Sequence, residues 1–292
     1  MGSRRSATLI GFSAVLMWSL LAVLTAASAP VPPFQLTAMA FTVGGLAGLA
    51  SMALRGAWRE LRQPPVVWSV GVSGLFGYHF FYFTALRHAP PVEAGLIAYL
   101  WPLLIVLLSA LLPGERLRWF HVVGTLLGLA GTVLVVTGGQ GVLVDDQFIP
   151  GYAAAFVGAV IWSSYSLISR RLAHVPTSAV AGFCLMTAAL GGLAHLLFEE
   201  TVWPATAGQW LAVAALGLMP VGAAFYAWDH GVKHGDIQVI GASAYAAPLI
   251  STAMLMVAGY AEAGPAIAIA ALLIAGGGLL ASRAILFGPR VT

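Results

Sequence analysis

Tyr78 and Tyr82 stand four residues apart, so on a helix they share one face, with His79 on its flank. Trp162 and Tyr165 pair in a similar way, and Trp18, Tyr99, Trp101, Ser243 and Tyr245 also interrupt long apolar runs. Together these side chains offer faces for stacking, hydroxyls for hydrogen bonding and attraction for an ammonium group through cation–π contact. That chemistry suits an amphipathic aromatic ligand, and a zwitterionic amino acid with a large side chain fits it. For any single ring, packing between helices is the competing reading, because aromatics commonly fill apolar interiors. The inference rests on the group.

Pro102 and Pro248 carry a second signal. Each removes a helical hydrogen bond and frees the carbonyl four residues earlier, Ala98 and Ala244, which makes them hinge candidates or suppliers of free carbonyls to a ligand. Pro220 has only Gly74 as its counterpart and reads as a bend. His79 is a candidate partner for a carboxylate or a proton carrier, against the plainer reading of a neutral ring satisfied by a neighbouring hydroxyl. Asp229 has Lys233 one turn later and is expected to pair with it, in preference to coupling protons. His195 falls near a span end. No two histidines and carboxylates share ligand spacing, so no metal site is expected. No glycine-rich phosphate loop is present, and no nucleophile, base and metal set gathers at one depth, so catalytic residues and cofactors are expected to be absent. Cys184 is the single cysteine, which excludes a disulfide framework within the chain.

The elements that position these residues follow from composition. Of 292 residues, 60% are hydrophobic and 8% charged, with mean hydropathy +0.93; a soluble domain carries roughly 25% charged residues. This is the composition of an integral membrane protein. Ten apolar spans fit between polar breaks, at 6–28, 33–54, 66–87, 91–112, 117–137, 151–172, 178–198, 208–233, 236–260 and 264–286. Each is long enough to cross a bilayer as a helix, and the long unbroken runs exclude the short alternating segments of a β-barrel. Trp58, Trp68, Trp119, Trp203 and Trp210 lie near span ends and read as headgroup anchors.

The chain is one unit written twice. His88 through Tyr99-Leu100-Trp101-Pro102-Leu103 recurs 146 residues later as His234 through Tyr245-Ala246-Ala247-Pro248-Leu249. Trp18-Ser19 and Pro32 match Trp162-Ser163 and Pro176 at an offset of 144. The halves are 1–140 and 141–292, with five spans each, and an odd number of crossings inverts the second relative to the first. With the N-terminus inside, Arg4, Arg5, Arg55, Arg59, Arg62, Arg116, Arg118, Arg170, Arg171, Lys233, Arg283 and Arg290 fall on the cytoplasmic side, and of the 13 basic residues only Arg87 falls outside. Asp145, Asp146, Glu199, Glu200 and Glu262 fall on the opposite side. A pI near 9.2 therefore reflects membrane orientation and not nucleic-acid binding. The first span is read as a retained helix, since no small-residue cleavage site follows it.

Tyr99-x-x-Pro102-Leu103, leading through Gly114-Glu115-Arg116-Leu117 into a helix spaced by Gly124, Gly128 and Gly131, resembles the signature of the EamA-type transporters of the drug/metabolite transporter superfamily. The many aromatics at membrane depth most resemble the YddG-type aromatic amino acid exporters of that family. A weaker echo in the second half runs through Ala261-Glu262-Ala263, Ala271, Ala275 and Gly278, so Gly-Glu-Arg has no matched partner there. The resemblance implies an all-α fold of ten helices, two inverted five-helix repeats around a central cavity, with the fifth and tenth helices outside, in a bacterial inner membrane.

None of the thirteen Lys and Arg residues lies at mid-membrane, which disfavours a phosphorylated substrate. The expected function is a secondary transporter that exports aromatic and other large neutral amino acids by alternating access. The alternative is a broad exporter of small amphipathic metabolites, organic cations or drugs. The expected partners are this small-molecule substrate and the lipid bilayer, with a monomer as the unit, because Gly44-x-x-x-Gly48 and Gly124-x-x-x-Gly128 permit close packing without requiring a dimer. Both termini are placed in the cytoplasm. In a Cys184→Ala background, single cysteines at Asp145 and Glu199 are expected to react with an impermeant thiol reagent added to intact cells, and cysteines at Arg59 and Arg171 to stay unlabelled; labelling at Arg59 would refute ten crossings.

Overall fold

The computed structural model describes residues 2–139, 145–257 and 264–283. Among the described residues, nine helices are long and apolar enough to cross a membrane, and a tenth apolar helix is shorter. They are α1 (Arg4–Ala27), α2 (Pro33–Arg55), α3 (Pro65–His88), α4 (Pro91–Leu111), α5 (Trp119–Thr137), α6 (Asp146–Arg171), α7 (Thr177–Phe198), α8 (Ala207–His234), α9 (Ile237–Met254) and α10 (Pro265–Ala281). No strand occurs among the described residues. Gly141, the Ala261-Glu262-Ala263 echo and Arg290 lie outside the described residues, as does the boundary at 140/141.

Proline begins many of these helices. Pro33, Pro65, Pro91 and Pro265 occupy the first helical turn, where the missing N–H is one of the unpaired donors in any case and φ is already set. Gly56 and Gly138, with φ of 65° and 61°, end α2 and α5 in the left-handed conformation that glycine tolerates best.

Packing obeys the internal repeat. α1 packs along α8, and its counterpart α6 packs along α3. α2 pairs with α7, α4 with α9 and α5 with α10. Exchanging the two halves therefore maps the set of helix pairs onto itself, as an inverted repeat about an axis in the membrane plane requires. α5 and α10 lie to one side and approach closely because both faces are small. A Cβ on Gly124 would come within 2.4 Å of the Gly277 carbonyl, and one on Gly277 within 2.4 Å of the Gly124 carbonyl.

Several spans are not simple helices. α3 widens to a π-turn at Ser73–Gly77 and α8 does so at Met219–Ala223, positions related by the 146-residue offset. Pro220 is therefore half of a symmetric device and not an isolated bend. α4 breaks at Tyr99-Leu100 ahead of Pro102, α9 at Ala244-Tyr245 ahead of Pro248, and α1 at Ser19-Leu20. Trp58, Trp119, Trp203 and Trp210 are exposed near helix ends, as headgroup anchors would be. Trp68 differs: it packs edge-on against Phe183, with ring centroids 5.5 Å apart, over the space that Gly182 leaves open.

Gly124→Ala is expected to push α5 and α10 apart at a backbone contact and destabilise the fold by about 1–3 kcal/mol, as overpacking does. Gly278→Ala meets open space and is expected to leave stability unchanged or raise it. Thermal unfolding of the two purified variants in detergent compares them directly; equal midpoints would show that the α5–α10 contact tolerates an added methyl group.

Candidate functional site

Helices from both repeats bring the predicted aromatics together. Trp18 of α1 lies 5.7 Å from Trp162 of α6 and 6.1 Å from Trp101 of α4, ring centre to ring centre. Trp162 continues to Tyr78 at 5.6 Å and to Tyr165 at 5.3 Å. Tyr78 stacks on Tyr82 at 5.8 Å and 7° between planes. Tyr99 stands at the break in α4, two residues before Trp101. Trp101, Trp162 and Tyr165 are buried, whereas Trp18, Tyr78, His79, Tyr82 and Tyr99 are half-buried and keep part of their surface free. The first three form a packed base, and the other five lie beside it with part of their surface accessible.

The interrupted helices hold these rings in place. Trp18 donates its indole N–H to the Pro220 carbonyl (3.0 Å) in the wide turn of α8. His79 bonds through Nδ1 to the Leu75 carbonyl (2.7 Å) in the wide turn of α3, so backbone, not a hydroxyl, satisfies that nitrogen. Its Nε2 is the nitrogen left for other partners. The Ser163 hydroxyl donates to the Ala159 carbonyl one turn back at 2.5 Å, and its oxygen lies 3.3 Å from the Trp101 carbonyl, which sets α6 against the break in α4. Gly74 makes room for Tyr165: a Cβ there would fall 2.4 Å from the ring.

Two residues essential to this cluster escaped the sequence reading. Trp228 is fully buried, lies 5.0 Å from Trp18 and 5.4 Å from Trp101, and donates its N–H to Ser166 Oγ at 3.1 Å. Phe225 contacts Trp18, Phe41, His79 and Trp162. The repeat held the signal, because the 146-residue offset carries Tyr82 onto Trp228 and His79 onto Phe225.

Two predicted residues stand apart from it. Tyr245 is fully buried against α5, where Gly128 gives it space, and its carbonyl faces the Thr132 hydroxyl at 3.4 Å. The repeat equates it with Tyr99, but the packing of α9 on α5 turns it outward. The Ser243 hydroxyl donates back to the Ile240 carbonyl (2.9 Å) and is spent within its own helix. Nor is the Ala244 carbonyl free for a ligand, because the chain tightens after the break and the Ala247 N–H bonds to it at 3.1 Å. Pro102 and Pro248 are both buried at the starts of the continuing helix segments.

The two ends of the bundle carry different polar contacts. At the end rich in basic residues, Glu115 takes both Arg170 and Arg4, the latter at 3.3 Å, and Arg4 also reaches Asp236 at 3.3 Å. Arg170 further donates to the carbonyls of Val232 (2.8 Å) and Gly235 (2.9 Å), binding α6 to the end of α8. Asp229 pairs with Lys233 at 2.7 Å, as its spacing predicts, and accepts from the Thr177 hydroxyl at 2.7 Å. At the opposite end, Glu199 accepts from Arg87 at 2.6 Å and from the backbone N–H groups of Phe34 and Gln35, while His195 joins it at 3.0 Å. Among the described residues, no group of three or more His, Cys, Asp or Glu is placed to hold a metal ion.

Comparison with known proteins places this architecture. The model of the EamA-like transporter family matches residues 5–137 and again 149–283. The chain is 58% identical over 284 residues to the aromatic amino acid exporter YddG of Ancylobacter novellus, covering 96% of this chain and 98% of that protein. It is 28% identical to the protein of the same name from Escherichia coli, over 87% of this chain and 89% of the relative. It is also 28% identical to a probable terminal-alkyne amino-acid exporter of Streptantibioticus cattleyicolor, covering 82% of this chain and 84% of that protein. A crystal structure at 58% identity superposes with a TM-score of 0.93, covering 96% of this chain and 97% of the other. With both halves matched in turn, this multi-pass membrane protein belongs to the EamA-like transporter family.

Proposed function

We propose that this chain is an amino acid exporter whose substrates are aromatic and other large neutral amino acids, moved by alternating access between two five-helix units, 1–140 and 141–292. The observation that carries the reading is the half-buried group of Trp18, Tyr78, His79, Tyr82 and Tyr99 at membrane depth, backed by the buried rings of Trp101, Trp162 and Trp228. The rings take the substrate side chain by stacking, and the tyrosine hydroxyls and His79 supply polar contacts to its head group. Relatives named as aromatic amino acid exporters support the same class of substrate.

Positive charge assigns the basic end to the cytoplasm of a bacterial inner membrane, with both termini inside. The basic residue at that end of α8, Lys233, has a side chain only 3% exposed, whereas its repeat counterpart Arg87 is 37% exposed. We read this difference as a state closed toward the cytoplasm and more open toward the outside.

In liposomes containing only this protein, Tyr78→Ala and Tyr99→Ala are expected to weaken transport of tryptophan and phenylalanine more than transport of threonine. Stacking is worth about 0.5–1.5 kcal/mol per aromatic pair, or roughly two- to twelve-fold in affinity. Trp228→Ala, at a sealed position, is instead expected to destabilise the fold by about 3–5 kcal/mol and to depress all substrates alike. Uptake normalised to folded protein decides; equal losses for tryptophan and threonine at Tyr78 and Tyr99 argue against stacking.

The breaks in α4 and α9 are the proposed hinges. Pro102→Ala and Pro248→Ala restore a helical donor and straighten these helices, so both are expected to slow transport while the protein still reaches the membrane. Wild-type rates in both variants would reduce the prolines to features of packing.

A further inference from the structure

Below the aromatic rings, toward the basic end, lies a void of about 10 Å3, room for a single water. Gly71 of α3, Tyr165 and Ser169 of α6, and Asp229 and Lys233 of α8 line it. The Tyr165 hydroxyl is buried without a hydrogen-bond partner, and the other side of its ring meets Trp162 in the aromatic cluster. Tyr165 thus separates the proposed substrate surface from a charged pair. That pair is sealed: the side chains of Lys233 and Asp229 are 3% and 2% exposed.

Stability does not account for it. Burying two charges costs desolvation that their attraction only partly returns, and well-packed apolar residues of similar volume close such a site at least as well. The repeat places a basic residue in the same way at the other mouth, where Arg87 meets Glu199. A charged pair therefore stands at each end of the path.

We propose that Asp229 and Lys233 form a docking site for the head group of the substrate on its way from the cytoplasm, Asp229 receiving the α-ammonium and Lys233 the α-carboxylate. This rests on the amino acid reading above. A zwitterion inserted between the two residues turns one ion pair into two and adds no net charge to the buried site. A cationic amine satisfies Asp229 but strands Lys233, and an anionic acid does the reverse. The pair is thus a filter for molecules carrying both charges, and Tyr165 is placed to meet the substrate ring as the floor opens. The other contacts of the pair, the Thr177 hydroxyl on Asp229 and the Val175 carbonyl on Lys233 at 2.9 Å, come from the start of α7 and the chain before it.

The test uses the full chain in liposomes, with radiolabelled phenylalanine uptake competed by unlabelled phenylalanine, phenylethylamine or 3-phenylpropionate. The wild-type protein is expected to favour phenylalanine over either singly charged analogue by about tenfold or more, the scale of one charged contact. In the double variant Asp229→Asn with Lys233→Met, which strands no charge, the KM for phenylalanine should rise about tenfold and the preference should fall below about threefold, with uptake normalised to folded protein. A folded double variant with wild-type KM and preference overturns the site while leaving the transport reading intact. No phenylalanine uptake by the wild-type protein overturns both. If the double variant does not accumulate, Asp229→Glu, which keeps both charges but displaces the carboxylate, should lose at least about threefold of the preference; an unchanged preference overturns the site.

Discussion

Within hydrocarbon there is no water to complete a broken backbone ladder, so every interruption of a helix must be repaired from inside the protein. α1, α3, α4, α8 and α9 are all interrupted near mid-membrane. At the two wide turns the repairs are also contacts that build the aromatic cluster. The Trp18 indole satisfies a carbonyl of the wide turn in α8, and His79 one in α3. A ring oriented by a backbone carbonyl has little rotational freedom left, and a preformed surface loses less entropy when it binds. The constraint imposed by lipid thus also organises the site.

Equivalent positions of the two repeats do not have equivalent surroundings. The start of the repeat aligns Trp18-Ser19 with Trp162-Ser163, yet α1 breaks there while α6 runs through unbroken. The segment of α1 beyond the break, Leu21–Ala27, has no buried residue. Tyr82 is half-buried and its counterpart Trp228 is sealed; His79 lies opposite Phe225 in the repeat, so one half supplies the polar ring and the other an apolar one. Alternating access by inverted repeats calls for two halves that share a fold but hold different conformations at one moment. These differences are of that kind.

Much of this was legible in the sequence because it depends on period and sign. Span count, repeat offset and charge bias concern whole segments, and a local error in any of them cancels over the chain. The Asp229–Lys233 pair was legible as well, being a matter of one helical turn. What escaped depended on neighbours. Tyr245 resembles Tyr99 by position but meets Gly128 of α5, a contact that the offset does not encode. Trp228 and Phe225 are readable only through the offset, which carries Tyr82 and His79 onto them. The wide turns of α3 and α8 left only a faint trace, since Pro220 marks one and nothing but glycines marks the other.

The two ends are also held in mechanically different ways. Arg87 lies at the end of α3 and Glu199 directly follows α7, so separating these helices breaks a charged contact, although Arg87 is exposed enough for water to replace it. Asp229 and Lys233 sit on one helix and move together. If α8 swings away from the start of α7, the bonds that break are those to the Thr177 hydroxyl and the Val175 carbonyl, and both charged groups are left side by side on α8. Removing one member of a buried pair is costly because it strands the other, and an arrangement within one helix avoids that cost throughout the motion. The ion pairs that link different segments at this end are those of Arg4 with Glu115 and Asp236, and of Arg170 with Glu115. Arg4 is half exposed, with 50% of its side chain accessible, so water can solvate it as it lets go. Asp229 and Lys233 travel together on α8, and Arg4, which links other segments at this end, already faces solvent.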